Sequence, residues 1–163
     1  MPESDGEAFN TGLLLVDIFT KFATVVPVKS KQADDILEAI KQGFENSKLP
    51  EMLFTDDEGS FHSKQAVSYY RENKITHLIT KTHAQYAERA IRIIKAMLYK
   101  RLEARPGEPW CGPEVLSNAL VAYNYRTKHD ATKMTPNEAR QPKNILEVKM
   151  RLEAHRFKAE AIS

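Results

Sequence analysis

The chain has 163 residues, enough for one domain with a substantial core, and 42% hydrophobic and 28% charged residues are proportions ordinary for a globular protein. No apolar run approaches the roughly 20 residues of a membrane helix, the polar, acidic first ten residues carry no leader pattern, and the single cysteine, Cys111, excludes an internal disulfide framework or a cysteine-rich zinc site. Net charge is only +2, but nine Lys/Arg stand against three acids between Arg71 and Arg105, a distribution that suits either a polyanion-facing side or a solvated helix face.

Residues 1–11 read as a disordered lead. Gly12 to Phe19 is nearly continuously apolar and predicts a central strand buried on both faces. Thr20-Lys21 marks a turn, and Phe22 to Val28 a second, hairpinned strand that Pro27 places near its end or at an edge. Ser30 can cap a helix whose inner face is Ala33, Ile36, Leu37, Ile40 and Phe44. Pro50 precedes a third strand, Glu51 to Thr55. Ser63 can cap a helix facing inward with Val67 and Tyr70, and Ile75 to Thr80 is a fourth strand.

Tyr86 to about Glu103 is the strongest helical pattern, with Ala87, Ile91, Ile94 and Leu98 as its apolar stripe. Glu114 to Asn124 predicts a further helix using Val115, Ala119, Leu120 and Ala122. Thr135-Pro136-Asn137-Glu138 is a helix start with cap, first-turn proline and capping-box acid. Ile145 to Phe157, with Leu146, Met150 and Leu152, reads as the last helix. Strands alternating with helices predict an α/β fold with a mixed sheet flanked by helices.

Three acids stand out. Asp17 follows the apolar Leu13-Leu14-Leu15-Val16, where a buried carboxylate is costly unless paired or bound to metal; the plainer reading is a strand-end residue meeting solvent. Asp56 lies just past the third strand, in "LFTDDEGSF", where α/β folds gather sites, although an acidic turn would read the same. Glu88 opens the strongest helix. It shares a face with Arg92, Lys95 and Tyr99, so one carboxylate is backed by two cations that could hold phosphates. The plainer reading is a weak i,i+4 pair between Glu88 and Arg92. Together the acids suit Mg²⁺, a hard ion that takes carboxylates and phosphate oxygens, and two-ion phosphoryl transfer.

The segments "LLLVDIFTKFATVVPVKSKQADDILEAI", "LFTDDEGSF" and "HAQYAERAIRIIKAML" resemble the catalytic core of retroviral-type integrases, the DD-E polynucleotidyl transferases with a ribonuclease H-like fold. The style is closest to the integrases of Maverick/Polinton elements, as "YNYRTKHDATKMTPNEARQPKN" and "LEVKMRLE" also suggest; the resemblance spans residues 12–158. It implies a catalytic core over 12–142 and a helical extension over 143–163. It implies Asp17, Asp56 and Glu88 as catalytic ligands of two Mg²⁺ (or Mn²⁺) ions, with Lys81, His83, Gln85, Tyr86, Arg92 and Lys95 touching DNA. The implied activity is 3′-end processing and strand transfer of element DNA into target DNA. Alternatives are a nuclease on the same fold, or a domesticated non-catalytic core that binds DNA or a partner. A homodimer or higher oligomer, no membrane, and a nuclear location go with it. Asp57 competes with Asp56 as the second ligand, because two further acids precede Gly59, and the 31 residues between Asp56 and Glu88 are fewer than retroviral integrases place there.

Overall fold

The computed structural model describes residues 11–79 and 84–162, with side chains for all of these except 84–85 and 155–162. Strands β1 (Thr11–Val16) and β2 (Ala23–Val28) form an antiparallel hairpin, with Thr11 opposite Val28 and Val16 opposite Ala23. Helix α1 (Ala33–Asn46) follows, then β3 (Met52–Thr55), a 3-10 turn (Gly59–His62), α2 (Lys64–Glu72) and β4 (Thr76–Ile79). β3 and β4 pair in parallel, as a strand–helix–strand crossover requires. Both strand directions therefore occur, as the mixed α/β reading predicts. The expected single sheet, however, is two hydrogen-bonded pairs, β1–β2 and β3–β4, among the described residues.

One apolar core serves both pairs. Leu13, Val26 and Val28 from the hairpin meet Ile36, Leu37, Ile40 and Phe44 of α1, with Ala66, Tyr70 and Ile75 from the α2–β4 side. Helix α1 enters this core closely because residue 43 is glycine: a Cβ there would lie 2.3 Å from Leu15 Cδ1. The expected Ser30 cap is displaced. Ser30 Oγ accepts from Gln32 N and donates to Asp35, while the N-cap position belongs to Gln32, whose side chain makes no cap bond. Ser63 caps α2 as expected, accepting from Ala66 N at 3.2 Å. The inner face of α2 is Ala66 and Tyr70; Val67 is exposed.

Helix α3 (Ala84–Ala104) lies against β1 with Ala90 and Ile94 buried, joined by Ile93, Met97 and Leu98. Ile91, expected inside, is exposed. The next helical stretch is unusual: π-helical turns at Pro113–Ser117 and Ala122–Arg126 flank the short α4 (Asn118–Val121). Its buried apolar residues are Val115, Leu116, Ala119 and Tyr123. Asn124 in the second π turn reaches the hairpin: its Oδ1 accepts from Ala23 N at 2.9 Å and its Nδ2 donates to Ala23 O at 2.8 Å, both buried. Trp110 packs on β1, where Gly12 leaves room for its ring: a Cβ would stand 3.0 Å from Cη2.

Thr135 caps α5 (Pro136–Ala139) as its motif predicts, accepting from Glu138 N at 3.2 Å, although the helix is only four residues long. The last helix, α6 (Ile145–Ile162), buries Val148 against Met134 and Ala139, with Phe19 and Leu152 alongside. Leu146 and Met150, expected to mark that helix's apolar side, are 70% and 63% exposed. No helix among the described residues is long and apolar enough to cross a membrane.

Candidate active site

Asp17 follows β1 and closes the hairpin. Its N–H donates to Phe22 O (2.9 Å) and its carbonyl accepts from Lys21 N (2.7 Å). Its carboxylate Oδ1 accepts from Phe19 N at 2.8 Å and Thr20 N at 3.2 Å, so the side chain completes an Asx-type turn. Lys21 adopts a left-handed conformation (φ 68°) in this turn, and its ammonium stands 4.3 Å from the centre of the Tyr86 ring at the start of α3. Burial lowers the Lys21 pKa; Asp17 opposes that shift and Arg89 adds to it. The hairpin turn and the first turn of α3 are therefore neighbours, a link not foreseen from the sequence.

Glu88, Arg92, Lys95 and Tyr99 are all exposed, and they share one face of α3 as the helical spacing predicts. No ion pair joins Glu88 to Arg92; the ion pairs among the described residues are His62–Asp57, Arg105–Glu114 and Arg151–Glu147. Tyr86 is exposed and partnered by Lys21. Lys81, His83 and the Gln85 side chain, the other expected DNA contacts, lie outside the described residues.

Asp56 is the first residue past β3, exposed, and no described residue bonds its carboxylate. Asp57, its competitor, is engaged: its Oδ1 lies 3.2 Å from His62 Nε2 in the 3-10 turn. The two aspartates therefore differ in their neighbours: Asp57 has His62 beside it, and no described residue bonds the Asp56 carboxylate. Beside them, His77 Nε2 lies 2.7 Å from Thr55 Oγ1, and Thr55 Oγ1 donates to Asp56 O at 2.9 Å. Burial holds the His77 imidazole below its ordinary pKa, and His62 adds to that. The Asp57–His62 and Thr55–His77 pairs were missed in the sequence. The strand register brings the second pair together: parallel pairing sets His77 opposite Leu53, hence on the same face as Thr55.

The three expected carboxylates have the right chemistry for Mg²⁺ or Mn²⁺, being hard oxygen donors. Among the described residues, no three His, Cys, Asp or Glu side chains come together to hold a metal. Asp17 engages its turn through Oδ1 alone, leaving Oδ2 unbonded, and Asp56 belongs to the β3–β4 pair, which shares no ladder with β1 among the described residues.

No family model and no curated protein matches the sequence. Solved structures do match the fold. The HTLV-2 integrase catalytic core domain in complex with magnesium superposes with a TM-score of 0.71 at 22% identity, covering 80% of this chain and 84% of that one. The catalytic core domain of BIV integrase gives 0.63 at 18% identity over 93% and 92%. A chain of the simian T-cell lymphotropic virus intasome, in complex with a PP2A regulatory subunit, gives 0.72 at 20% identity over 79% of this chain and 48% of that one. The fold is ribonuclease H-like, the one these cores share.

Proposed function

We propose that the chain is the catalytic core of a DNA integrase or transposase of the Maverick/Polinton type, a polynucleotidyl transferase that processes element 3′ ends and joins them to target DNA. The observation carrying this reading is the likeness, over four fifths of the chain, to an integrase core determined with magnesium. Two features of this chain support it. Asp56 presents an unbonded carboxylate at the carboxyl end of a parallel strand, where such folds place their chemistry. Glu88 stands on an exposed helix face with Arg92 and Lys95, side chains suited to phosphate oxygens.

In this reaction an oxygen nucleophile, first water and then the freed 3′ hydroxyl, forms a new bond to phosphorus as the old 3′ oxygen departs. Arg92 and Lys95 hold the backbone, with Tyr86 and the segment containing Lys81, His83 and Gln85 alongside. Mg²⁺ (or Mn²⁺), two ions per site with DNA bound, is the cofactor this reading carries, with Asp56 and Glu88 as its protein donors. Asp17 joins them through Oδ2, which its turn leaves unbonded. The domain reading is a core over 12–142 and a helical extension over 143–163, acting as a homodimer or higher in the host nucleus; the HTLV-2 core was determined in dimeric and trimeric forms.

A second reading is a core that binds DNA without cutting it. Incubating the protein with branched and element-end DNA in Mn²⁺ separates the two. Nicked and joined products are expected, falling at least about 100-fold in Asp56→Asn and Glu88→Gln. Binding without products supports the second reading, and hydrolysis without joining indicates a nuclease. Activity equal to the parent in both variants would sink the assignment of these acids.

A further inference from the structure

The Asp56 turn is braced from behind by a chain of groups that the assignment above does not use. His77 on β4 and Thr55 on β3 share a face, with Nε2 and Oγ1 2.7 Å apart. The Thr55 hydroxyl has one proton, and it is directed to Asp56 O at 2.9 Å. Both contacts exist together only if His77 Nε2 carries a hydrogen and donates to Thr55 Oγ1. The imidazole is held in turn by Tyr70 of α2, whose ring centre lies 5.0 Å away at 54°. Tyr70 is itself buried and anchored, its hydroxyl donating to Phe61 O at 2.8 Å in the 3-10 turn that follows Asp56. Asp57, the next residue, has its Oδ1 3.2 Å from His62 Nε2. The carbonyl of the Asp56–Asp57 peptide is therefore held through Thr55, while the Asp56 carboxylate is unbonded.

We propose that His77 is a positioning residue: through the Thr55 hydroxyl it fixes the Asp56–Asp57 peptide plane and so sets where the Asp56 carboxylate is presented to the phosphodiester. The inference rests on the reading of Asp56 as a site carboxylate. A histidine that only fills space would tolerate any side chain of similar bulk. A donor to Thr55 would not. Gln can place its amide N–H near the position of Nε2, whereas Ala and Leu cannot donate.

The test compares His77→Gln, His77→Leu and Thr55→Val in the full chain, with two readouts. The first is the backbone amide order parameter of Asp57, which reports the Asp56–Asp57 peptide directly and needs no DNA or metal. It is expected near the rigid value of about 0.85 in the parent and in His77→Gln, and below about 0.6 in His77→Leu and Thr55→Val. The second is strand joining in Mn²⁺, expected to fall about 10- to 100-fold in kcat for His77→Leu and Thr55→Val, with His77→Gln within a few fold of the parent. Thr55→Val combined with His77→Leu should be no worse than either alone, because both remove one brace. An unchanged Asp57 order parameter in His77→Leu overturns the proposal whatever the activity. So does a loss in His77→Gln equal to that in His77→Leu. If instead the brace measurements come out as expected but Asp56→Asn joins DNA normally, the catalytic reading of Asp56 fails and the brace does not. Should His77→Leu not fold, Thr55→Val and His77→Gln still decide.

Discussion

The Asp17 carboxylate accepts from two backbone amides of its own turn, and that local arrangement decides what substitution will do. The sequence places an aspartate after an apolar run but does not say whether the strand continues past it. Gly12 to Phe19 reads as one strand because Ile18 and Phe19 are apolar, yet the ladder ends at Val16. The chain then turns through Lys21 at positive φ, at a lysine where glycine or asparagine is the usual signal. Asp56 was more legible, because a strand end followed by turn residues is written in the chain. What was not legible is the partner that separates it from Asp57, since His62 becomes a neighbour only when the 3-10 turn forms. Asp17→Asn retains an acceptor for Phe19 N and Thr20 N; Asp17→Ala does not. By urea unfolding, the alanine variant is expected to lose about 1 kcal/mol and the asparagine variant a few tenths. A ligand role makes the opposite forecast for function, with Asn as damaging as Ala and as damaging as Asp56→Asn in joining assays. Unchanged stability of the alanine variant would remove the turn role.

Helices were found where periodicity put them, but some inner faces were displaced, by one position in α2 and α3 and by two in α6. Val67 was expected inside where Ala66 is buried, Ile91 where Ala90 is, and Leu146 and Met150 where Val148 is. In α2 and α3 the displacement has one physical cause. A pattern search favours large apolar residues, whereas a helix lying close to its neighbour buries the small ones. Helix α1 carries this furthest at Gly43, where the backbone nearly touches Leu15. Elsewhere in a helix, replacing glycine by alanine gains about 1 kcal/mol. Here the new methyl would start 2.3 Å from Leu15 Cδ1, with Leu15 Cγ at 3.5 Å and Val26 Cγ2 at 3.6 Å also close. Overpacking of that kind costs about 1–3 kcal/mol, so Gly43→Ala is expected to destabilise by about 1 kcal/mol net. In a Leu15→Ala background the clash is gone, and Gly43→Ala should instead stabilise. A double-mutant cycle in thermal unfolding checks the change of sign; the same effect in both backgrounds would refute the close approach.

At the scale of the molecule, the order of strands and helices was enough to predict an α/β fold, because alternation is a local property of the sequence. How the strands join was not, because pairing between distant strands leaves no periodic trace. The structure has a hairpin and a parallel pair with one core between them, so Asp17 and Asp56 stand on units that do not share a ladder. The cations are organised differently. Arg92 and Lys95 were placed on one exposed face of α3 by helical geometry alone, and both are exposed there without an ion-pair partner among the described residues. If that face tracks DNA phosphates, each contact releases counterions, and the logarithm of the association constant should fall with the logarithm of salt by about 0.9 per phosphate. Arg92→Ala combined with Lys95→Ala is expected to lower the slope by about 2 and to weaken every duplex alike, since phosphate contacts carry no base preference. Lys41→Ala serves as the control, because that ammonium sits 5.4 Å from the centre of the Tyr69 ring. Titration of a fluorescent duplex between about 50 and 200 mM salt reads the slopes. Equal slopes for the double variant and its parent would show that the basic row of α3 is a solvated helix face, and that DNA, if bound, lies elsewhere on the molecule.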